Sequence, residues 1–320
     1  MEFRQLAYFV AVAEERNFTR AAARIPIAQP AISQQIGRLE SELGERLFVR
    51  DRRGIRLTPA GEALLPHARA MLADAGHARE AVAAHSGLLT GRLAFGFVQP
   101  LPDRRLPGLL GAFHREHPGI ELRLIEDETD ALLAALAAGE LDAALIGLGN
   151  YDRRPPGVES RLVAREPAVV AVHLRHPLAA RGSVPLHALR DEPMVTLTPA
   201  SKQRSTLETA CRAAGFVPRV VAETSDLGVV IELVQQQIGV AVLPRSALER
   251  DATVTQLSLT RPKLGRRIML VWHPATSPPA ARAFLALARH RLAGPDTTTA
   301  MIPDASDQAN SVNLPPDALP

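Results

Sequence analysis

Between Gln29 and Arg38 the chain reads QPAISQQIGR. Gln29 and Ser33 lie about one helical turn apart, as do Gln34 and Arg38, so on a helix the four share an outward face opposite Ile32, Ile36, Leu39 and Leu43. Two carboxamides, a hydroxyl and a guanidinium are groups that hydrogen-bond base edges in a DNA major groove or the phosphates beside it. The competing reading is the solvated face of a plain helical bundle. A second constellation is TPASKQR, from Thr198 to Arg204. If it opens a helix, the free N–H groups at Ser201, Lys202 and Gln203 favour an anion, and Arg204 could clamp a carboxylate. A surface ion pair is the plainer role for Arg204. Other chemistry is thinly represented. His114 and His117 lack a cysteine or acid to complete a metal set, and His67, His77 and His85 do not share a helix face. GxSxG, Walker, GxGxxG and HExxH motifs are absent, which argues against an enzyme, and no cofactor is expected. Cys211 is the one cysteine, so an intrachain disulfide is excluded and a small buried hydrophobe is the expected role.

These groups need elements to hold them. A chain of 320 residues with 46% hydrophobic content can build two domains. Mean hydropathy is near zero, and no run approaches the roughly 20 apolar residues of a membrane span. The first 17 residues mix acids and arginine into their apolar pattern, unlike a signal peptide, so a cytoplasmic protein is expected, with no membrane partner. Residues 1–56 hold ten Arg against seven acids, which accounts for the whole net charge of +3. Leu6, Phe9, Val10 and Ala13 predict a first helix over 3–15. Thr19 is read as the N-cap of a second, short helix that carries Arg20 and ends before Pro26. Pro30 suits the first turn of a third. Residues 48–57 predict a two-stranded hairpin whose Arg50, Arg52 and Arg53 reach phosphate or the minor groove. Thr58 and Pro59 open a long helix to about residue 85, with a local kink or a lost hydrogen bond expected at Pro66. Its apolar stripe needs a partner, either a second copy or its own second domain. Strands and helices then alternate from residue 91 to 292, the pattern of two mostly parallel α/β lobes with a cleft beyond the strand ends. Gln99, Pro100, Leu101, Gly147 and Thr224 lie there by that rule, with the Ser201–Arg204 loop. The tail is rich in Pro, Asp, Ser, Thr and Asn and reads as disordered.

Phe9, Ala13, Phe18-Thr19-Arg20-Ala21-Ala22, Gln29 to Ile36, Leu39-Glu40, Leu43-Gly44, Leu47 to Arg50 and Leu57 to Gly61 occur in an order that resembles the winged helix-turn-helix of LysR-type transcriptional regulators. Gly139 to Asp142 and Gly239 to Pro244 resemble that family's effector domain, itself similar to periplasmic binding proteins. The resemblance implies a DNA-binding head over 1–58, a dimerising linker helix over 59–88, a two-lobed α/β effector domain over 89–293 and a tail over 294–320. It also implies an operator with an interrupted inverted repeat, a small-molecule effector, a dimer or tetramer, and RNA polymerase as an open further partner. Two positions depart from the family. Ala28 stands where a Ser or Thr usually precedes Gln-Pro, and Gln99-Pro100 replaces the usual hydroxyl after the first strand. A two-lobed enzyme or a solute-binding module without DNA binding is the alternative.

Overall fold

The computed structural model describes residues 1–51, 54–84, 89–100, 105–248, 253–273 and 277–292. Three helices open the chain: α1 (Phe3–Glu15), α2 (Phe18–Arg24) and α3 (Gln29–Leu43). A hairpin follows, β1 (Phe48–Asp51) antiparallel to β2 (Gly54–Leu57). Leu6, Phe9, Phe18, Ile32, Ile36 and Leu39 are buried together, and the Phe48 ring packs on Phe9 and Phe18 at 5.4 and 5.9 Å between centroids. Two expectations change here. Asn17, not Thr19, caps α2: its extended backbone aims the side-chain oxygen at the N–H groups of Thr19 (2.8 Å) and Arg20 (3.1 Å). Thr19 already lies inside the first turn. Leu43 is 41% exposed, because α3 ends there and Gly44 turns the chain away in the left-handed region (φ 74°).

Helix α4 (Pro59–Ala84) continues through Pro66, which has no N–H to donate, so one backbone hydrogen bond is missing inside it. Thr58 caps it, accepting from the Gly61 N–H at 3.0 Å. Gly61 is obligatory, since a Cβ there would come within 2.2 Å of the Leu47 carbonyl oxygen. The apolar stripe of α4 does not wait for another molecule along its whole length. Ala68 is fully buried in the head's core, and Leu64, Leu65 and Leu72 pack against it.

The remaining elements are β3 (Gly91–Phe97), α5 (Leu106–Glu116), β4 (Ile120–Glu126), α6 (Thr129–Ala137), β5 (Ala143–Gly149), β6 (Glu159–His173), β7 (Ser183–Val184), β8 (Pro193–Leu197), α7 (Lys202–Ala213), β9 (Arg219–Thr224), α8 (Leu227–Gln235), β10 (Ala241–Pro244), β11 (Val254–Leu259), β12 (Gly265–Trp272) and α9 (Pro279–Arg291). Lobe I is the run β4-β3-β5-β12 and the first half of β6, with a core around Phe95, Phe113 and Phe284. Lobe II holds the second half of β6 with β10, β11 and β7, and the parallel pair β8-β9. The lobes are less parallel than expected. β12 is antiparallel to β5 and β6, and β10 and β11 are antiparallel to β6. Only 169–174 suggested a strand in the sequence, yet β6 begins at Glu159. Its first half carries Glu159, Arg161, Arg165 and Glu166, which break the apolar signal.

Candidate nucleic-acid interface and interlobe cleft

The face of α3 forms as its spacing requires. Gln34 and Arg38 are exposed, Gln29 and Ser33 half-exposed. The Gln29 amide nitrogen donates to the Ser33 hydroxyl at 2.9 Å, which aligns the two side chains along the helix. Ala28 is the N-cap position of α3 and supplies no side-chain bond, and Pro30 occupies the first turn. Thr19 is exposed on α2. Arg20 folds back on α1, donating to the Glu15 carbonyl, with its Nε 3.5 Å from the Glu15 carboxylate. The hairpin is tied to α3 by Glu40, a residue whose part the sequence did not reveal. Its buried carboxylate accepts from the backbone N–H of Leu47 (2.8 Å) and Phe48 (3.3 Å) and meets Arg46 at 3.3 Å. Arg50 lies on β1, while Arg52 and Arg53 fall outside the described residues.

Between the lobes lies a cleft. Gln99 enters it after β3, Glu128 and Thr129 at the start of α6, Gly147 on β5, and Ser201, Lys202 and Gln203 at the start of α7. Its wall is apolar where Val98, Leu207, Val242, Leu243 and Leu264 face it. Ser201 caps α7, accepting from the Gln203 N–H at 3.3 Å. Lys202 reaches across to Asp130 of lobe I at 2.9 Å, and that partner raises the ammonium's pKa against the opposing effect of burial. Burial pushes the Glu128 carboxyl upward, and the Ser201 hydroxyl beside it opposes the shift.

Arg204 is not in the cleft. It is buried on the other side of α7, where Nε holds Glu208 at 2.6 Å and Nη1 reaches the Thr196 hydroxyl and the Leu197 carbonyl. Two residues on from Lys202, it lies about 200° round α7, on the face opposite that side chain. Thr224 is spent locally as well, its hydroxyl accepting from the Asp226 N–H at 3.1 Å where α8 begins. Pro100 contributes only its carbonyl, and Leu101 lies outside the described residues. The buried cation of the cleft is Arg266. It pairs with buried Glu166 at 2.7 Å and donates to the carbonyls of Gln99 and Pro100, each at 3.0 Å. Glu166 in turn accepts from the Ser246 N–H of lobe II at 3.0 Å, so one ion pair joins both lobes at the cleft floor.

A model described as the bacterial regulatory helix-turn-helix protein of the lysR family matches residues 3–62, and the LysR substrate binding domain matches 86–293. The chain belongs to the LysR family. It is a DNA-binding transcriptional regulator with an effector-binding domain, and regulators of this family bind operators and small-molecule effectors and form oligomers. Among relatives of this LysR-family chain, the transcriptional regulator ShiR of Corynebacterium glutamicum (strain R) is 41% identical over 246 residues, 76% of this chain and 82% of that protein. The structure of a full-length, singly substituted OxyR from Pseudomonas aeruginosa superposes with a TM-score of 0.70 at 30% identity, covering 90% of this chain and 94% of that one. Full-length CbnR in complex with its target DNA gives 0.62 at 28% identity, covering 91% and 100%. Among the described residues no helix is long and apolar enough to cross a membrane, and no group of three or more His, Cys, Asp and Glu is placed to hold a metal.

Proposed function

We propose that this regulator reads an interrupted inverted repeat through Gln29, Ser33, Gln34 and Arg38 of paired α3 helices, and that its cleft takes a small organic acid that carries a hydrogen-bond donor. The protein works in the cytoplasm as a dimer or a pair of dimers, and acts on RNA polymerase at the promoter. The observation that carries the effector class is the start of α7. Three residues there, Ser201, Lys202 and Gln203, line the cleft, and the positive end of the helix with the Lys202 ammonium favours an anion. The apolar wall suits a ring or short hydrocarbon body, and Glu128 accepts from a hydroxyl or amino substituent. Binding shifts the angle between the lobes only as far as the ligand prefers one arrangement.

Calorimetry on the full-length protein with aromatic and short aliphatic carboxylates, their hydroxylated forms and their neutral amides tests this. Lys202→Gln should weaken binding of the acids about tenfold, roughly one charge-assisted hydrogen bond, and leave DNA affinity unchanged. Amides that bind as tightly as the acids would remove the anion from the reading. A thiol redox sensor is a less suitable role. Cys211 is the chain's one cysteine, fully buried in lobe II, and burial pushes its thiol to about 11.

A further inference from the structure

Three faces can be traced along α4. Residues Arg69, Ala73 and His77 are spaced i, i+4, i+8, and all three meet lobe I. A Cβ on Gly139, in the turn after α6, would stand 2.7 Å from that of Ala73, so the helix and the turn are in close contact. His77 Nε2 lies 3.6 Å from Asp142, whose other oxygen accepts from the Ala94 N–H at 2.7 Å. Arg69 does more than dock the lobe. Its Nη1 holds Glu140 of lobe I at 2.6 Å, and its Nη2 holds Glu14, near the end of α1 in the head, at 3.1 Å. Glu14 also pairs with Arg24 on α2 at 2.6 Å. A single guanidinium thus touches the DNA-binding head, the linker helix and the effector domain.

We infer that Arg69 is a positioning residue, which favours the relative orientation of the DNA-binding head and lobe I seen here on the shared linker helix. The chemistry of the side chain matters. Guanidinium presents two terminal nitrogens in a rigid fork and can hold two carboxylates that approach from different domains, whereas an ammonium is a point charge and serves one or the other. The helix α6 gives the clamp a second significance, which rests on the cleft reading above. Its first residue, Thr129, exchanges hydrogen bonds with Gly147 at the cleft, and its last turn leads to Glu140. A nine-residue rod therefore runs from the cleft to the clamp, and a ligand that moves its start moves Glu140 against Arg69.

The test uses full-length protein with nitroxide labels on Ala23→Cys in the head and Ala134→Cys in lobe I, Cys211 being buried, and dilutes the labelled chains in an excess of unlabelled ones so that only distances within one chain are read. Pulsed electron spin resonance then reads the distribution of head-to-lobe distances. Glu140→Gln and Arg69→Ala should raise the fraction outside the main distance about two- to fivefold, the effect expected of one partly exposed ion pair, with melting temperature unchanged. Arg69→Lys, which keeps the charge, should also fail to restore the narrow distribution. A wild-type distribution in Glu140→Gln, or full rescue by Arg69→Lys, overturns the inference. Neither result bears on the organic-acid titration, so failure of the cleft reading is recognised separately.

Discussion

At the scale of single residues, the proposed base-reading face of α3 makes a direct prediction. Gln34 is exposed on α3, and a bidentate amide contact is worth about 1–3 kcal/mol of discrimination. Gln34→Ala should therefore lose about that much on a duplex selected by the protein and little on random duplex, as measured by fluorescence anisotropy at fixed salt. Equal losses on both would remove Gln34 from base reading. The sequence made this face legible because helical spacing alone sorts Gln29, Ser33, Gln34 and Arg38 from Ile32, Ile36 and Leu39. It could not tell which arginine serves the cleft. Whether Arg204 or Arg266 points inward depends on where α7 and β12 sit after packing. Neighbouring Ser201, Lys202 and Gln203 were legible, since any helix that starts beyond a strand end presents its first turn to the cleft.

Among elements, the hairpin shows how far local signals reach. Its strands follow from the sequence, but its attachment does not, because Glu40 reads as one more solvated acid on α3. Removing that carboxylate leaves the N–H groups of Leu47 and Phe48 without their acceptor in a buried place. Glu40→Ala should destabilise the head by about 2–3 kcal/mol in urea unfolding and weaken binding to all DNA sequences by misplacing the hairpin. Unchanged stability would show that the strands hold themselves. β6 is the opposite case: half of it was invisible because a strand crossing between two lobes passes through a polar floor, where Glu166 meets Arg266. A hydrophobic pattern cannot announce a strand whose partners there are charges.

For the whole molecule, α4 divides its surface among three neighbours. Leu64, Leu65, Ala68 and Leu72 pack on the head, and Arg69, Ala73 and His77 on lobe I. Met71 and Val82, 37% and 75% exposed, lie three turns apart on a face turned away from lobe I, with Ala75 and Ala78 between them. This is the stripe proposed to meet a second copy. Met71→Glu together with Val82→Glu should give a folded monomer in sedimentation, with operator affinity lowered by loss of the paired heads. A dimer that persists would place the interface elsewhere. Leu72 is a poor choice for such a test, since a charge there enters the head's own core.

The strands that cross the effector domain have a consequence for how it comes apart. β6 supplies a central strand to both lobes, and β12 runs beside its first half while β10 and β11 flank its second. Neither lobe keeps a complete sheet if the other melts, so the pair constitutes a single cooperative folding unit despite its two separate cores. Proteolytic nicking within one lobe therefore exposes both, and a gene fragment that ends between them encodes an orphaned sheet edge rather than half of a working sensor.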